Sequence, residues 1–361
     1  MLDFTSSLYL GLRHPSTSLA PWTSLTTGVP AALAVPPDAV RVAVAAGSLL
    51  GCARAALAPS TLHLFWDLFG LLAGEESSVH VDAGAYPIGR WGAERLRGRG
   101  IPTHTFRHHD PDALCRQLRE CARRRRRRPL VLADGYCPGC GPAPIPAYTA
   151  LAARYGGRLV IDDTQAVGVL GAGPGPDAPF GRGGGGSLRW HGIQGDGVVV
   201  CASLAKALGV PLGVVAGDSG LVGRYESSAE TRVHCSPPSA VVLRAAERAL
   251  ALNRAVGDAL RARLAGLVDR LRTRSALAGL ALHGGAFPVQ SLDPGPAAAE
   301  VHQGLLALGV RAVLHRPAHG GGPVISFVLT ARHRERDIDA AVAALGRAVG
   351  ARAPQPAALG A

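Results

Sequence analysis

The chain predicts an α/β fold, built on a largely parallel sheet covered by helices on both faces. Three observations carry that expectation. Between residues 78 and 217, short apolar runs rich in Val, Leu and Ile alternate with helical stretches. Several of the runs are continuously apolar rather than alternating, as strands buried on both faces must be. Finally, 361 residues with 47% hydrophobic and 5% aromatic content can bury a large core and divide into two domains.

Residues 1–30 carry no regular pattern and read as an N-terminal arm. Asp38 to Leu57 reads as a helix, apolar at helical spacing and preceded by Pro36-Pro37. A second helix, LHLFWDLFGLLA, follows Pro59, with Ser60 or Thr61 as its natural N-cap. The strand-like runs are SVHVDA, IPTHTF, PLVLADG, RLVIDD, GVVVCAS and GVVAGD. Helices are expected near Ile88 to Gly98, Asp112 to Arg123 and Pro146 to Tyr155. Ala172 to Gly195 is a Gly- and Pro-rich loop. A long helix, Ser239 to Arg274, then opens a smaller C-terminal α/β unit. Its expected strands are LALHG, FPVQSL, VRAVLH and PVISFVL, with helices from Ala297 to Leu308 and Arg334 to Val349. The expected organisation is an arm (1–30), a large domain (31–236) and a smaller domain (237–361), with a frayed tail from Ala351.

The formal charge of +12 raises the question of nucleic acid. Most arginines, however, are scattered through helical stretches. The one run, Arg123 to Arg128, closes a helix just before a strand, where cations suit the helix dipole. It reads as a solvated surface segment, and no nucleic-acid partner is expected. Seven cysteines at irregular spacing argue against a secreted disulfide framework. Cys137-Pro-Gly-Cys140 has no second such pair, and His104, His108 and His109 read as exposed loop residues, so no metal is expected. No signal peptide or membrane-length apolar segment is legible, and a cytoplasmic protein is expected.

Lys206 is the only lysine; the other 37 basic residues of the Lys and Arg count are arginines. A guanidinium stays protonated and forms no imine, whereas a lysine amine can. Lys206 follows the strand GVVVCAS, and Asp162-Asp163 ends the strand RLVIDD. Ligands of open α/β sheets bind at the carboxyl ends of strands, so Asp162 and Lys206 can converge. A carboxylate facing an imine-forming lysine suits pyridoxal phosphate, PLP, whose pyridine nitrogen the Asp keeps protonated. Ser60-Thr61, at a helix start, offers hydroxyls and free N–H groups for a phosphate. His63, one turn along, can face the pocket or pack in the core, with the core the expectation. Asp134 ends another strand, where an Asp also caps the next turn.

These residues resemble the α-oxoamine synthases, fold-type-I PLP enzymes of the aminotransferase class I/II superfamily. LDFTSSLYLGLRHP is similar to that family's N-terminal segment, and LLGCARAALAPST to the segment leading into its phosphate cup. IDDTQAVGVLG is similar to its "vDDAHgtGvlG", and SLAKALG to its "TlsKAlG". FGRGGGGSLRWHGI, SPPSA and HRPAH resemble three further segments. The resemblance implies that Lys206 is the imine lysine and Asp162 the pyridine partner. It implies Ser60, Thr61, Leu62 and Ser203 at the phosphate, and Gln165 where the family has His. Tyr86 stands where the family's ring-stacking His is, and Asp134 faces the cofactor side.

The chain departs from the family at Tyr86, at a shortened loop TTGVPAALAVPP, and at Ser326. That serine stands where the family carries its substrate-carboxylate arginine; Arg316 and Arg332 lie near it in sequence. Two functions follow as expectations. One is condensation of an amino acid or amine with an acyl thioester, bound to CoA or to a carrier protein. The alternative is an aminotransferase acting on an amine or aldehyde without a free α-carboxylate. By the same resemblance the protein is a homodimer.

Overall fold

The computed structural model describes residues 1–74, 76–124, 127–195, 197–317 and 321–350. The tail from Ala351, Arg125 and Arg126 of the arginine run, and residues 318–320, which include the last two residues of HRPAH, lie outside the described residues.

By its contacts the chain separates into two compact units. One takes residues 10–137 and 142–259; the other takes residues 1–9, 138–141 and 260–361. The division falls inside the long helix Ala240–Leu277, whereas the sequence reading put it at that helix's start. The first residues also group with the C-terminal ones rather than standing alone. Leu2 and Asp3 pair in parallel with Val310 and Arg311, and Phe4 stacks on His333 at 4.3 Å.

The larger unit holds a seven-stranded sheet. Its strands are β1 (Arg54–Ala58), β2 (Ser77–Asp82), β3 (Thr103–Phe106), β4 (Arg128–Asp134), β5 (Arg158–Asp162), β6 (Val198–Ser203) and β7 (Gly213–Gly217). They lie in the order β1-β7-β6-β5-β4-β2-β3. Strands β2 to β6 run parallel, and β7 runs antiparallel to both its neighbours. The connecting helices include α1 (Pro37–Leu50), α2 (Thr61–Leu72), α3 (Pro87–Glu94), α4 (Pro111–Arg124), α5 (Ile145–Arg154) and α6 (Ser187–His191).

Strand β1 corrects the sequence reading, which carried α1 on to Leu57. Gly51 adopts the left-handed conformation at φ 77° and stops α1. The alanines that follow are good helix formers, but Arg54–Ala58 pairs with β7 and buries four of its five residues. Sheet pairing overrides a propensity of a few tenths of a kcal/mol per residue. The antiparallel β7 likewise makes the sheet largely, not wholly, parallel.

The core on one face is built by α2. Leu64, Phe65, Leu68 and Phe69, on one side of that helix, pack with Val79, Leu132, Val160 and Val199 of the sheet. Each such side chain contributes about 1.5–3 kcal/mol on burial. Helix α3 lies close against α2 because Gly92 has no side chain; a Cβ there would stand 2.8 Å from the Phe65 carbonyl oxygen.

In the other unit, β8 (Val289–Leu292), β9 (Val313–His315) and β10 (Val324–Val328) form an antiparallel sheet in the order β8-β10-β9. The expected strand LALHG contributes only an isolated bridge between His283 and Ser291. Among the described residues, no helix is long and apolar enough to cross a membrane.

Candidate active site at the carboxyl edge of the large sheet

Strands β2, β4 and β5 each end in an aspartate: Asp82, Asp134 and Asp162. The strand order reverses between β2 and β4, since β3 lies outside β2 while β5 and β6 continue on the other side. Such a switch point leaves a crevice at the carboxyl ends. Asp134 stands directly opposite Asp162, and Asp162 opposite Cys201 of β6. Two residues further along β6, Ser203 faces Gly213 of β7, which in turn faces Ala58 of β1. That row sets the turn after Ala58 and the end of β6 about 10 Å apart, two strand spacings, with Gly213 between them. A Cβ on Gly213 would lie 2.8 Å from the Ser60 carbonyl carbon, so only glycine lets the turn seat there.

The Ser60 turn opens α2. Ser60 is the N-cap, but its side chain makes no cap hydrogen bond, and no acidic residue stands in the first turn. The first amides of this 12-residue helix therefore keep their positive end without a side-chain acceptor. Ser60 Oγ instead lies 2.8 Å from His63 Nδ1. His63, expected in the core, is half-buried and held at this turn. Thr61 is half-buried and Leu62 exposed.

Lys206 lies in the turn after β6. Burial lowers the proton affinity of its amine, and the charges of Asp162 and Asp134 oppose that shift. Burial likewise pushes both carboxyls up. Asp134 is raised well above the usual range, with repulsion from Asp162 and Asp82 adding to burial. Asp162 is raised too, but hydrogen bonds from Thr164 and the Lys206 charge pull it back. Of the two carboxyls, Asp134 is thus the more strongly raised.

Sequence reasoning missed Thr164. Its N–H donates to Asp162 Oδ1 at 3.0 Å, and its Oγ1 accepts the Ser203 N–H at 3.0 Å. One residue thus links the carboxylate to the end of β6. The Asp-x-Thr pattern was the available signal, since Asp favours such local bonds two residues on. Asp163, next in chain, faces the other way. Its carboxylate accepts the Ser187 N–H at 2.8 Å and O–H at 2.5 Å, capping α6, and burial raises its pKa to about 6.

Asp134 accepts the Tyr86 N–H at 3.0 Å. Tyr86 precedes α3 and leaves its side chain 57% exposed. Gln165 is half-buried in the turn after Asp163, and Ser203 Oγ accepts the Ala205 N–H at 3.2 Å. All of these residues belong to the larger unit. Ser326 belongs to the other. It is buried in β10, with its Oγ 2.7 Å from Ser291 Oγ and 2.8 Å from His315 Nε2.

The sequence pattern of the family described as aminotransferase class I and II matches residues 70–344. The chain belongs to this family. Among curated proteins it is similar to 8-amino-7-oxononanoate synthase of Alkalilimnicola ehrlichii, 32% identical over 257 residues, covering 70% of this chain and 62% of that one. This bears out the α-oxoamine synthase resemblance. The chain spans about 60% of the length of the curated relatives it matches. Among solved structures it is similar to SPT with PLP, at a TM-score of 0.82 and 19% identity, covering 97% of this chain and 87% of that one. It is also similar to 8-amino-7-oxononanoate synthase from Francisella tularensis, at 0.74 and 16%, covering 97% and 98%. The fold is the fold-type-I architecture expected of the sequence.

Proposed function

We propose that this chain is a pyridoxal phosphate-dependent transferase of the α-oxoamine synthase type, joining an amino acid or amine to an acyl thioester. The observation that carries the reading is Lys206, the sole lysine, half-buried and facing the charge of Asp162 at the carboxyl edge of the sheet. The donor set fits the cofactor. Open amides at the start of α2 and the hydroxyls of Ser60 and Ser203 suit its phosphate, with Thr61 and Leu62 at the same turn. Asp162, which accepts the Thr164 N–H, suits a protonated pyridine nitrogen. Tyr86 and Gln165 stand where the resemblance implies neighbours of the ring.

When bound, PLP supplies an electron sink for negative charge developing beside a substrate nitrogen. The chain's own residues do the rest. Burial favours the neutral form of the Lys206 amine, so Nζ can act as a nucleophile and can accept and return a proton. Asp134 anchors the Tyr86 turn by accepting its backbone N–H. Borohydride treatment of PLP-loaded protein, followed by peptide mapping, should place a pyridoxyl label on Lys206. A Lys206→Ala protein that still takes up a stable label elsewhere would refute the assignment.

One observation favours the second reading, an aminotransferase for an amine or aldehyde without an α-carboxylate. Ser326 stands where the resemblance implies a guanidinium, and its hydroxyl is already engaged by Ser291 and His315. A hydroxyl does not replace a charge-assisted bidentate pair. Release of free thiol from an acyl thioester supports condensation; amino transfer without thiol release supports the alternative. We further read the protein as a cytoplasmic homodimer. Trp66 and Trp91, on the packed helices α2 and α3, are 43% and 54% exposed, and such residues are enriched where a second subunit covers them.

A further inference from the structure

We propose that His63 is a positioning residue for the phosphate of the cofactor, acting through the Ser60 hydroxyl; this rests on the PLP reading above. Three observations carry it. Ser60, an N-cap, forgoes the usual bond to its own helix and instead pairs with the His63 ring at 2.8 Å. Gly213 presses the Ser60 carbonyl against the start of β7, so the backbone of the turn is fixed and the hydroxyl is the part left to orient. Asp67, one turn after His63 on the same helix, is buried. Its carboxylate is itself held by the N–H and O–H of Thr231, at 2.9 and 2.5 Å. Asp67, His63 and Ser60 thus follow one another along the first two turns of α2 and lead to the helix start.

The chemistry decides which way the bond runs. A serine hydroxyl has one proton, and a phosphate dianion is only an acceptor. If Ser60 donates to His63, it has nothing to offer the phosphate. If His63 Nδ1–H donates to Ser60 Oγ, the hydroxyl proton is free to point at the phosphate, and the donated bond polarises it. Phosphate binding therefore selects the form of His63 that carries its proton on Nδ1. Loss of the ring should weaken the hold on the phosphate alone, and not on the rest of the cofactor. An asparagine, whose side-chain amide donates from nearly the Nδ1 position, should restore it.

The test compares affinity for PLP with affinity for pyridoxal, its phosphate-free counterpart, by fluorescence titration of the cofactor-free protein. The native protein should prefer PLP. His63→Ala should lose about tenfold or more of that preference, the worth of one hydrogen bond to a charged group, with pyridoxal affinity unchanged. His63→Asn should keep the preference. In a Ser60→Ala background, His63→Ala should have no further effect. Equal weakening of PLP and pyridoxal, or an undiminished preference in His63→Ala, overturns the proposal. A native protein with no preference for PLP refutes the phosphate-cup reading itself.

Discussion

At the scale of single residues, environment rather than identity assigns the roles. Asp162 and Asp163 are adjacent aspartates at one strand end, yet one faces the Lys206 amine and the other caps α6. Strand alternation alone separates them. Asp162→Asn should still bind PLP but lose turnover by about a thousandfold, because a neutral amide cannot hold the pyridine nitrogen protonated. Steady-state assays on the loaded variant check this. A second prediction concerns acid stability. Burial depresses His80 from its usual 6.5 to about 4, so between those values the unfolded chain takes up a proton that the folded one refuses. Stability from His80 therefore falls as pH drops through that window. Burial raises Asp163 from 3.8 to about 6, so there the folded chain takes up the extra proton and stability rises as pH drops. Urea unfolding between pH 6 and 4 should show opposite tilts relative to the native protein. His80→Asn should be relatively steadier toward acid and Asp163→Asn relatively weaker, each by up to about 1.4 kcal/mol per pH unit.

At the scale of elements, most of the fold was legible and β1 was not. The strands from Ser77 to Gly217 were read from their buried apolar runs, and the structure places each where it was expected. Arg54–Ala58 looked helical because alanine is the best helix former, and only its pairing with β7 makes it a strand. That pairing matters to the site, because it carries the Ser60 turn to the carboxyl edge. Gly213, in register with both Ala58 and Ser203, is where the geometry is tightest. Gly213→Ala should cost about 1–3 kcal/mol through overpacking against Ser60 and weaken PLP binding as well. Gly98→Ala, where a Cβ would meet nothing within 4 Å, is the matched control. Thermal melts and cofactor titration of the two variants separate the effects.

At the scale of the whole molecule, the arginine-for-lysine composition makes the chain chemically simple. Its primary amines are Lys206 and the chain's own amino terminus. An amine-acylating reagent should add two groups to the unfolded, cofactor-free protein and one to the native protein loaded with PLP, as counted by mass spectrometry. A second label on the loaded native protein would show that Lys206 is not engaged. Some of the arginines meanwhile pair with acids at the surface, as Arg41 does with Asp38 and Glu247. Exposed pairs of this kind contribute little stability each.

The sequence by itself determined the alternation of strands and helices, the single amine available for imine chemistry, and the order in which Ser60, Asp162 and Lys206 appear. Those depend on local periodicity and on residue chemistry, which a linear reading can see. The tertiary structure decided the rest. It set Asp134 opposite Asp162, so that burial raises both carboxyls and Asp162 pushes Asp134 up further. It turned an alanine run into the strand that delivers the phosphate turn, drew His63 out of the expected core to Ser60, and engaged Ser326 between Ser291 and His315. Each of these rests on register between strands distant in sequence, or on burial that reweights a side chain's charge, and neither is written in the spacing of residues along the chain.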